Sequence, residues 1–169
     1  EPADTWRRME AWLRELLPTL GVAPRALLVV SAHWEEAVFT LNTNAAPGLL
    51  FDYYGFPPHT YELQWPAPGA PELAVEVAAL LDQAGMAVAT DNQRGLDHGV
   101  FVPLKLVCPQ ADIPVLQLSL QADMDAAGHI ALGKALAPLR EQGVLIIGSG
   151  MINGWRRLWC CPRHSATRR

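Results

Sequence analysis

The order of apolar and polar positions divides this chain into alternating strands and helices. Ala26–Val30 is an apolar run without interruption, entered at Pro24-Arg25 and left at Ser31. Such a run predicts a strand covered on both faces, as in a parallel sheet. Upstream, Trp6, Met9, Leu13, Leu16 and Leu17 recur at helical spacing behind Asp4 as N-cap, and Pro18 and Gly21 close that helix. Ala37–Leu41 reads as a second strand. Pro71 and Glu72 open a helix whose apolar face is Leu73, Val77, Leu80 and Leu81 and which stops near Gly85. A short strand at Met86–Thr90, a helix at Val100–Val107 and an apolar strand at Pro114–Leu120 follow. The last elements are a helix from about Ala126 to Glu141 and a strand at Val144–Ile147 that runs into Gly148-Ser-Gly150. Alternation of this kind, without internal repeats, predicts an α/β fold: a three-layer sandwich with a largely parallel central sheet.

Two stretches break the rhythm. Residues 42–70 are too apolar for a linker and too rich in Pro and Gly for a regular element, which marks a pocket wall or lid, or else a well-packed surface loop. Asp91–Gly99 is a polar turn just ahead of a helix. In open α/β sheets ligands bind beyond the carboxyl ends of the strands. Ser31-Ala-His33, the Gly95–Gly99 turn and Gly148–Gly150 all follow strands, so one topology gathers them on one rim. His33 there is a metal ligand or a hydrogen-bonded rim histidine. His98 is a proton carrier or hydrogen-bond donor to an anionic oxygen, or a turn histidine. Gly148-Ser-Gly150 is not a nucleophile elbow, and no phosphate loop or dinucleotide fingerprint is present. His59 reads as a loop residue and His129 as a surface residue. Cys160, Cys161 and His164 lack a fourth partner for a structural zinc.

Composition narrows the class. At 169 residues the chain is one domain's worth, half hydrophobic and 18% charged, which excludes a disordered or nucleic-acid-like protein. No apolar run approaches the roughly 20 residues that span a bilayer. An acidic opening, Glu1-Pro-Ala-Asp4, is unlike a signal peptide, and three cysteines make no disulfide framework, so a cytoplasmic setting is expected. The net charge of −4 is uneven: residues 155–169 hold five arginines and no acid, leaving 8 basic against 17 acidic residues elsewhere. A weakly acidic body suits small-molecule chemistry, with neither a nucleic acid nor a membrane as partner.

Ser31-Ala-His-Trp34, Tyr54-Gly-Phe-Pro57, Trp65-Pro-Ala-Pro-Gly69, Gly95-Leu-Asp-His-Gly99, Pro114-Val-Leu-Gln-Leu-Ser119 and Gly148-Ser-Gly150 stand in one order. That set resembles the class III extradiol ring-cleavage dioxygenases of the LigB-like, 4,5-DOPA dioxygenase type, from about Trp6 to Ile152. The resemblance implies a non-haem divalent metal, Fe(II) for activity with Zn(II) as an alternative occupant. It also implies a small aromatic diol of the catechol type, opened beside its two hydroxyls with O2. By the same resemblance His33 is a metal ligand, His98 is catalytic and substrate-binding, and Tyr54 is substrate-binding; a homo-oligomer is compatible with it. Non-haem iron needs a few N or O ligands and open positions, which these residue types suit.

The family also places a metal histidine ahead of the first helix, another ligand far downstream, and a His-Asn pair after Gly-Ser-Gly. Here the last position reads Met151-Ile-Asn-Gly154. Residues 1–152 are therefore expected to form an incomplete dioxygenase-like domain with an incomplete metal site and impaired turnover. Residues 153–169 are expected to be a divergent basic tail with the composition of a frameshift. Two other readings use the same residues. One is a catalytically inactive α/β module binding a phenolic ligand; the other is a zinc hydrolase-like enzyme using His33 with Glu35 or Glu36.

Overall fold

A computed structural model describes residues 4–150. The expected tail, 153–169, with Cys160, Cys161 and His164, lies outside the described residues. A five-stranded sheet runs in the order β4-β2-β6-β1-β7, formed by β1 (Ala26–Glu36), β2 (Phe39–Asn42), β4 (Val88–Asp91), β6 (Val115–Gln121) and β7 (Val144–Ser149). The β4–β2, β6–β1 and β1–β7 pairings are parallel, and only β2 meets β6 antiparallel, through Leu41 and Leu118. A second sheet consists of β3 (Leu49–Leu50) and β5 (Leu96–Asp97).

The unbroken apolar run of β1 is explained by layers on both sides. Leu28 and Ala26 face a core with Leu73, Ala74, Val77 and Leu81 of α2 (Pro71–Gln83) and Leu132 and Leu136 of α4 (Ala126–Leu136). Leu27 and Val29 face the other core, with Val100, Phe101 and Leu104 of α3 (His98–Val107) and the half-buried Leu13, Leu16 and Leu17 of α1 (Arg7–Leu20). Each fully buried leucine or valine contributes about 1.5–3 kcal/mol relative to exposure. The result is the expected three-layer α/β sandwich with a largely parallel sheet.

Several boundaries differ from the sequence pattern. Pro18 lies inside α1, which ends at Gly21 in a left-handed conformation (φ 71°). Near a helix end a proline removes only one late hydrogen bond, so the helix continues past it. The helix expected to reach Glu141 gives way to a 3₁₀ turn at Ala137–Gln142 opened by Pro138. Residues 42–70 are tied down at several points: Trp65 is buried and its indole N–H donates to the Cys108 carbonyl (2.8 Å), while Gly69 bridges to Val115. No helix among the described residues is long and apolar enough to cross a membrane.

Candidate active site

His33 owes its position to an irregularity in β1. The strand was expected to end at Val30, but it runs on to Glu36 with a register shift: Val30 pairs with Leu118 and Glu35 with Leu120. The extra β1 residues bulge, and a bulge redirects side chains away from strict alternation. Trp34 turns into the interior, while His33 faces the rim, exposed. The expectation of a histidine beyond the end of its strand is thus corrected to one within a bulged strand.

A buried carboxylate organises the floor behind it. Asp97 is 0% exposed and caps α3, accepting the Val100 N–H (3.2 Å). It also accepts the Ser31 hydroxyl (2.9 Å), an Arg94 N–H (3.4 Å) and the Gln117 amide. Four donors from β1, the turn, α3 and β6 make up for removing a charge from water. Ser31 Oγ in turn accepts the His33 backbone N–H (3.2 Å). Arg94 also lies over the Trp34 ring, 4.5 Å from its centroid.

The Gly-Ser-Gly turn joins the same rim. Pro103 inside α3 has no N–H to give the Gly99 carbonyl four residues earlier. The Ser149 hydroxyl donates to that carbonyl instead. Gly150 lies so close to β1 that a Cβ there would fall 2.5 Å from Ala32 Cβ. The three turns expected on one rim are therefore in mutual contact.

The parallel β3–β5 pairing places Leu50 opposite Asp97, so the residues just after Leu50 run beside the start of α3. Asp52 reaches His98 this way: its Oδ1 lies 2.7 Å from His98 Nδ1 and accepts the His98 backbone N–H at 3.0 Å. His98 and His33 face each other with ring centroids 4.0 Å apart and planes tilted by 45°. Partial burial, and then the His98 charge, push the His33 pKa below its ordinary 6.5; Asp97 and Asp52 oppose this and are outweighed. For Asp52, burial pulls the carboxyl upward, but its side-chain and backbone bonds to His98 and the His98 charge outweigh it, leaving it below its ordinary 3.8.

An aromatic wall borders the pair. Tyr53 meets His98 edge-on at 5.8 Å, and Phe51, Tyr61 and Phe101 extend the cluster. The Tyr53 hydroxyl donates to the Thr60 carbonyl (2.5 Å), and burial pushes that phenol's pKa up, so it stays a neutral donor. Tyr54, the tyrosine singled out by sequence, is 62% exposed on the same loop. Asp52 and Tyr53 were not singled out. Asp52 carried one signal: it is the sole acid between Glu36 and Glu62, inside an otherwise apolar loop.

Donor atoms of His33, Asp52 and His98 lie within 4.8 Å of one another, and among the described residues this is the one group of three that could hold a metal ion. Two imidazoles and a carboxylate are the donor types of non-haem Fe(II) sites with open positions, so the residues present fit a divalent metal. His33 is favoured in its neutral form, as a ligand must be. Glu36 accepts the Trp34 indole N–H (2.8 Å), and the carboxylate gathered with His33 is Asp52, not Glu35 or Glu36. His59 is exposed in a 3₁₀ turn (Pro58–Tyr61). His129 is half-buried, with Nδ1 2.7 Å from the Asp125 carbonyl and Nε2 accepting the Gln121 N–H (3.2 Å).

Residues 3–153 match the family described as the catalytic LigB subunit of aromatic ring-opening dioxygenase. "Dioxygenase tasH" of Hapsidospora irregularis is 49% identical over 128 residues, covering 75% of this chain and 40% of that protein. The "4,5-DOPA dioxygenase extradiol" of Beta vulgaris is 47% identical over 143 residues, covering 84% and 52%. That of Escherichia coli K12 is 38% identical over 130 residues, covering 76% and 47%. A crystal structure of the uncharacterized protein JW3007 from E. coli K12 superposes with a TM-score of 0.70 at 33% identity, covering 87% of this chain and 55% of that one. The chain spans about half the length of the curated relatives it matches.

Proposed function

Because this chain belongs to the family of the catalytic LigB subunit of aromatic ring-opening dioxygenases, we propose that it serves a non-haem extradiol dioxygenase, which opens a catechol-type ring with O2. The observation that carries the reading is the His33–His98 pair, two imidazoles 4.0 Å apart on one rim with Asp52 behind and an aromatic wall beside them. Relatives named 4,5-DOPA dioxygenase make a catechol bearing a short amino-acid side chain the first substrate to test.

In this reading His33 is a ligand of a divalent metal, Fe(II) for activity, with Zn(II) able to occupy the same donors. When bound, that ion supplies Lewis acidity toward the diol and a meeting point for diol and O2. His98 accepts a proton from a catechol hydroxyl and returns it to the product, the role for which an imidazole is suited near neutral pH. Tyr53 packs the His98 edge, and the aromatic loop 51–61, Tyr54 included, forms the wall that receives the ring by edge and stacking contacts. Both atoms of O2 enter the ring-opened product, so no external reductant is required. Residues 1–152 form the dioxygenase-like domain in this proposal, cytoplasmic and open to self-association.

The test is O2 consumption with excess Fe(II) and either an ortho- or a meta-dihydroxybenzene. Fe(II)-dependent uptake with the ortho-diol alone, lost in His33→Ala with the fold retained, is the expected result. Catechol binding without uptake would instead favour the inactive phenol-binding module. Substrate hydrolysis without uptake would favour a hydrolase.

A further inference from the structure

Asp52 meets His98 twice through a single oxygen. Oδ1 accepts the His98 backbone N–H at 3.0 Å and lies 2.7 Å from Nδ1 of the same residue. An ionised carboxylate only accepts hydrogen bonds, so the ring contact is a hydrogen bond only when Nδ1 carries the proton. In the neutral ring Nε2 is then the nitrogen with the free lone pair. The backbone bond fixes where the ring hangs and the ring bond fixes its rotation, since a flipped ring would turn carbon toward the carboxylate. The loop carrying Asp52 is itself pinned by the Leu50–Asp97 pairing and by the Tyr53–Thr60 hydrogen bond, so the acceptor is not free to follow the ring. A histidine whose second nitrogen is held by a carboxylate is a recurring way of choosing tautomer and orientation.

We propose that Asp52 is a positioning residue that holds His98 as its Nδ1–H tautomer and leaves Nε2 as the free nitrogen on the rim beside His33. The consequence rests on the dioxygenase reading: Nε2 is then the atom that takes and returns the substrate's hydroxyl proton. The tautomer itself does not depend on that reading. Without a partner, a neutral imidazole side chain in water prefers the opposite form, with the proton on Nε2. The carboxylate therefore selects the less common state.

Long-range 1H–15N correlation of the 15N-histidine-labelled chain reads the tautomer of each ring directly, with His98 assigned by the peaks lost in His98→Asn. The spectra are recorded at alkaline pH, and a ring counts as neutral only where one of its two nitrogens reads as unprotonated. The wild-type chain is expected to show His98 with a protonated Nδ1 and an unprotonated Nε2. Asp52→Ala is expected to move the majority of His98 to the Nε2–H form. Asp52→Asn, whose amide oxygen can accept both bonds at one atom, is expected to restore the wild-type pattern. The wild-type and Asp52→Asn spectra decide the matter even where Asp52→Ala does not fold. An Nε2–H ring in the wild type, an unshifted ring in folded Asp52→Ala, or a failed rescue in folded Asp52→Asn would each overturn the proposal. A chain with the expected tautomer but no O2 uptake would keep this assignment and remove the dioxygenase reading.

Discussion

Replacing Gly99 with alanine probes the closest packing on the rim. A Cβ at position 99 would fall 2.5 Å from His33 Cδ2, 2.8 Å from Ser31 Oγ and 3.1 Å from Asp97 Oδ1. The backbone there is not left-handed, so the constraint is space and not conformation. Two of the three neighbours cannot yield cheaply. Ser31 Oγ is fixed between Asp97 and the His33 N–H, and Asp97 is held by four donors. His33 is exposed and can swing, so the added methyl is expected to drive the two imidazoles apart from their 4.0 Å separation. Inserting a methyl into tight packing costs about 1–3 kcal/mol. Alanine's better helix propensity returns up to about 1 kcal/mol, and less than that in a first turn. A net loss of about 1–2 kcal/mol should lower the Tm by roughly 2–8 °C for a domain of this size. Thermal unfolding followed by circular dichroism measures that loss, and Zn(II) titration reads the displacement of His33. A Gly99→Ala chain with unchanged Tm and unchanged metal affinity would refute the packing account of this glycine.

Asp97→Ala would strand the Ser31 hydroxyl, the Val100 N–H, the Gln117 amide and the Arg94 guanidinium at once. Breaking a buried charged network of this kind costs about 3–5 kcal/mol, which a drop in the urea midpoint would register and an unchanged midpoint would contradict. Acidification should weaken the fold in two stages. His33 has a lowered pKa, so the folded chain binds its proton less readily than the unfolded chain; its stabilisation is complete above about pH 6.5 and falls as the pH drops below that. Asp52, also lowered, adds a second loss below its ordinary 3.8. Urea midpoints across that range should decline in these two windows, and His33→Asn should flatten the upper one.

How much of this was legible in sequence depends on how local each cause is. The β1 core was legible because both faces are covered, which leaves Leu27 and Leu28 equally apolar. The rim was legible because the apolar runs ahead of His33 and Ser149 and the polar turn holding His98 stand in one simple alternation, although β1 and β7 run on through His33 and Ser149. The bulge in β1 was not, since it arises from how β1 and β6 pair and no residue within Ser31–Trp34 announces it. Asp52 was missed because its partner is 46 positions away and reaches it through β3 and β5, each two residues long and too short to show a period. Tyr54 entered through the motif Tyr54-Gly-Phe-Pro57 and its resemblance, while nothing local drew attention to Tyr53. In a loop without periodicity two adjacent tyrosines cannot be sorted into inward and outward, and only the Leu50–Asp97 register turns Tyr53 toward His98.

Whether the His33–His98 rim serves ring opening by O2 is decided by isotope. The chain is incubated with excess Fe(II), an ortho-diol substrate and 18O2, and the organic product is weighed by mass spectrometry. Extradiol cleavage predicts a ring-opened product carrying both labelled atoms, formed only when His33 is present. No labelled product with His33 intact, a single labelled atom remaining after correction for carbonyl exchange with water, or equal labelling in His33→Ala would contradict it.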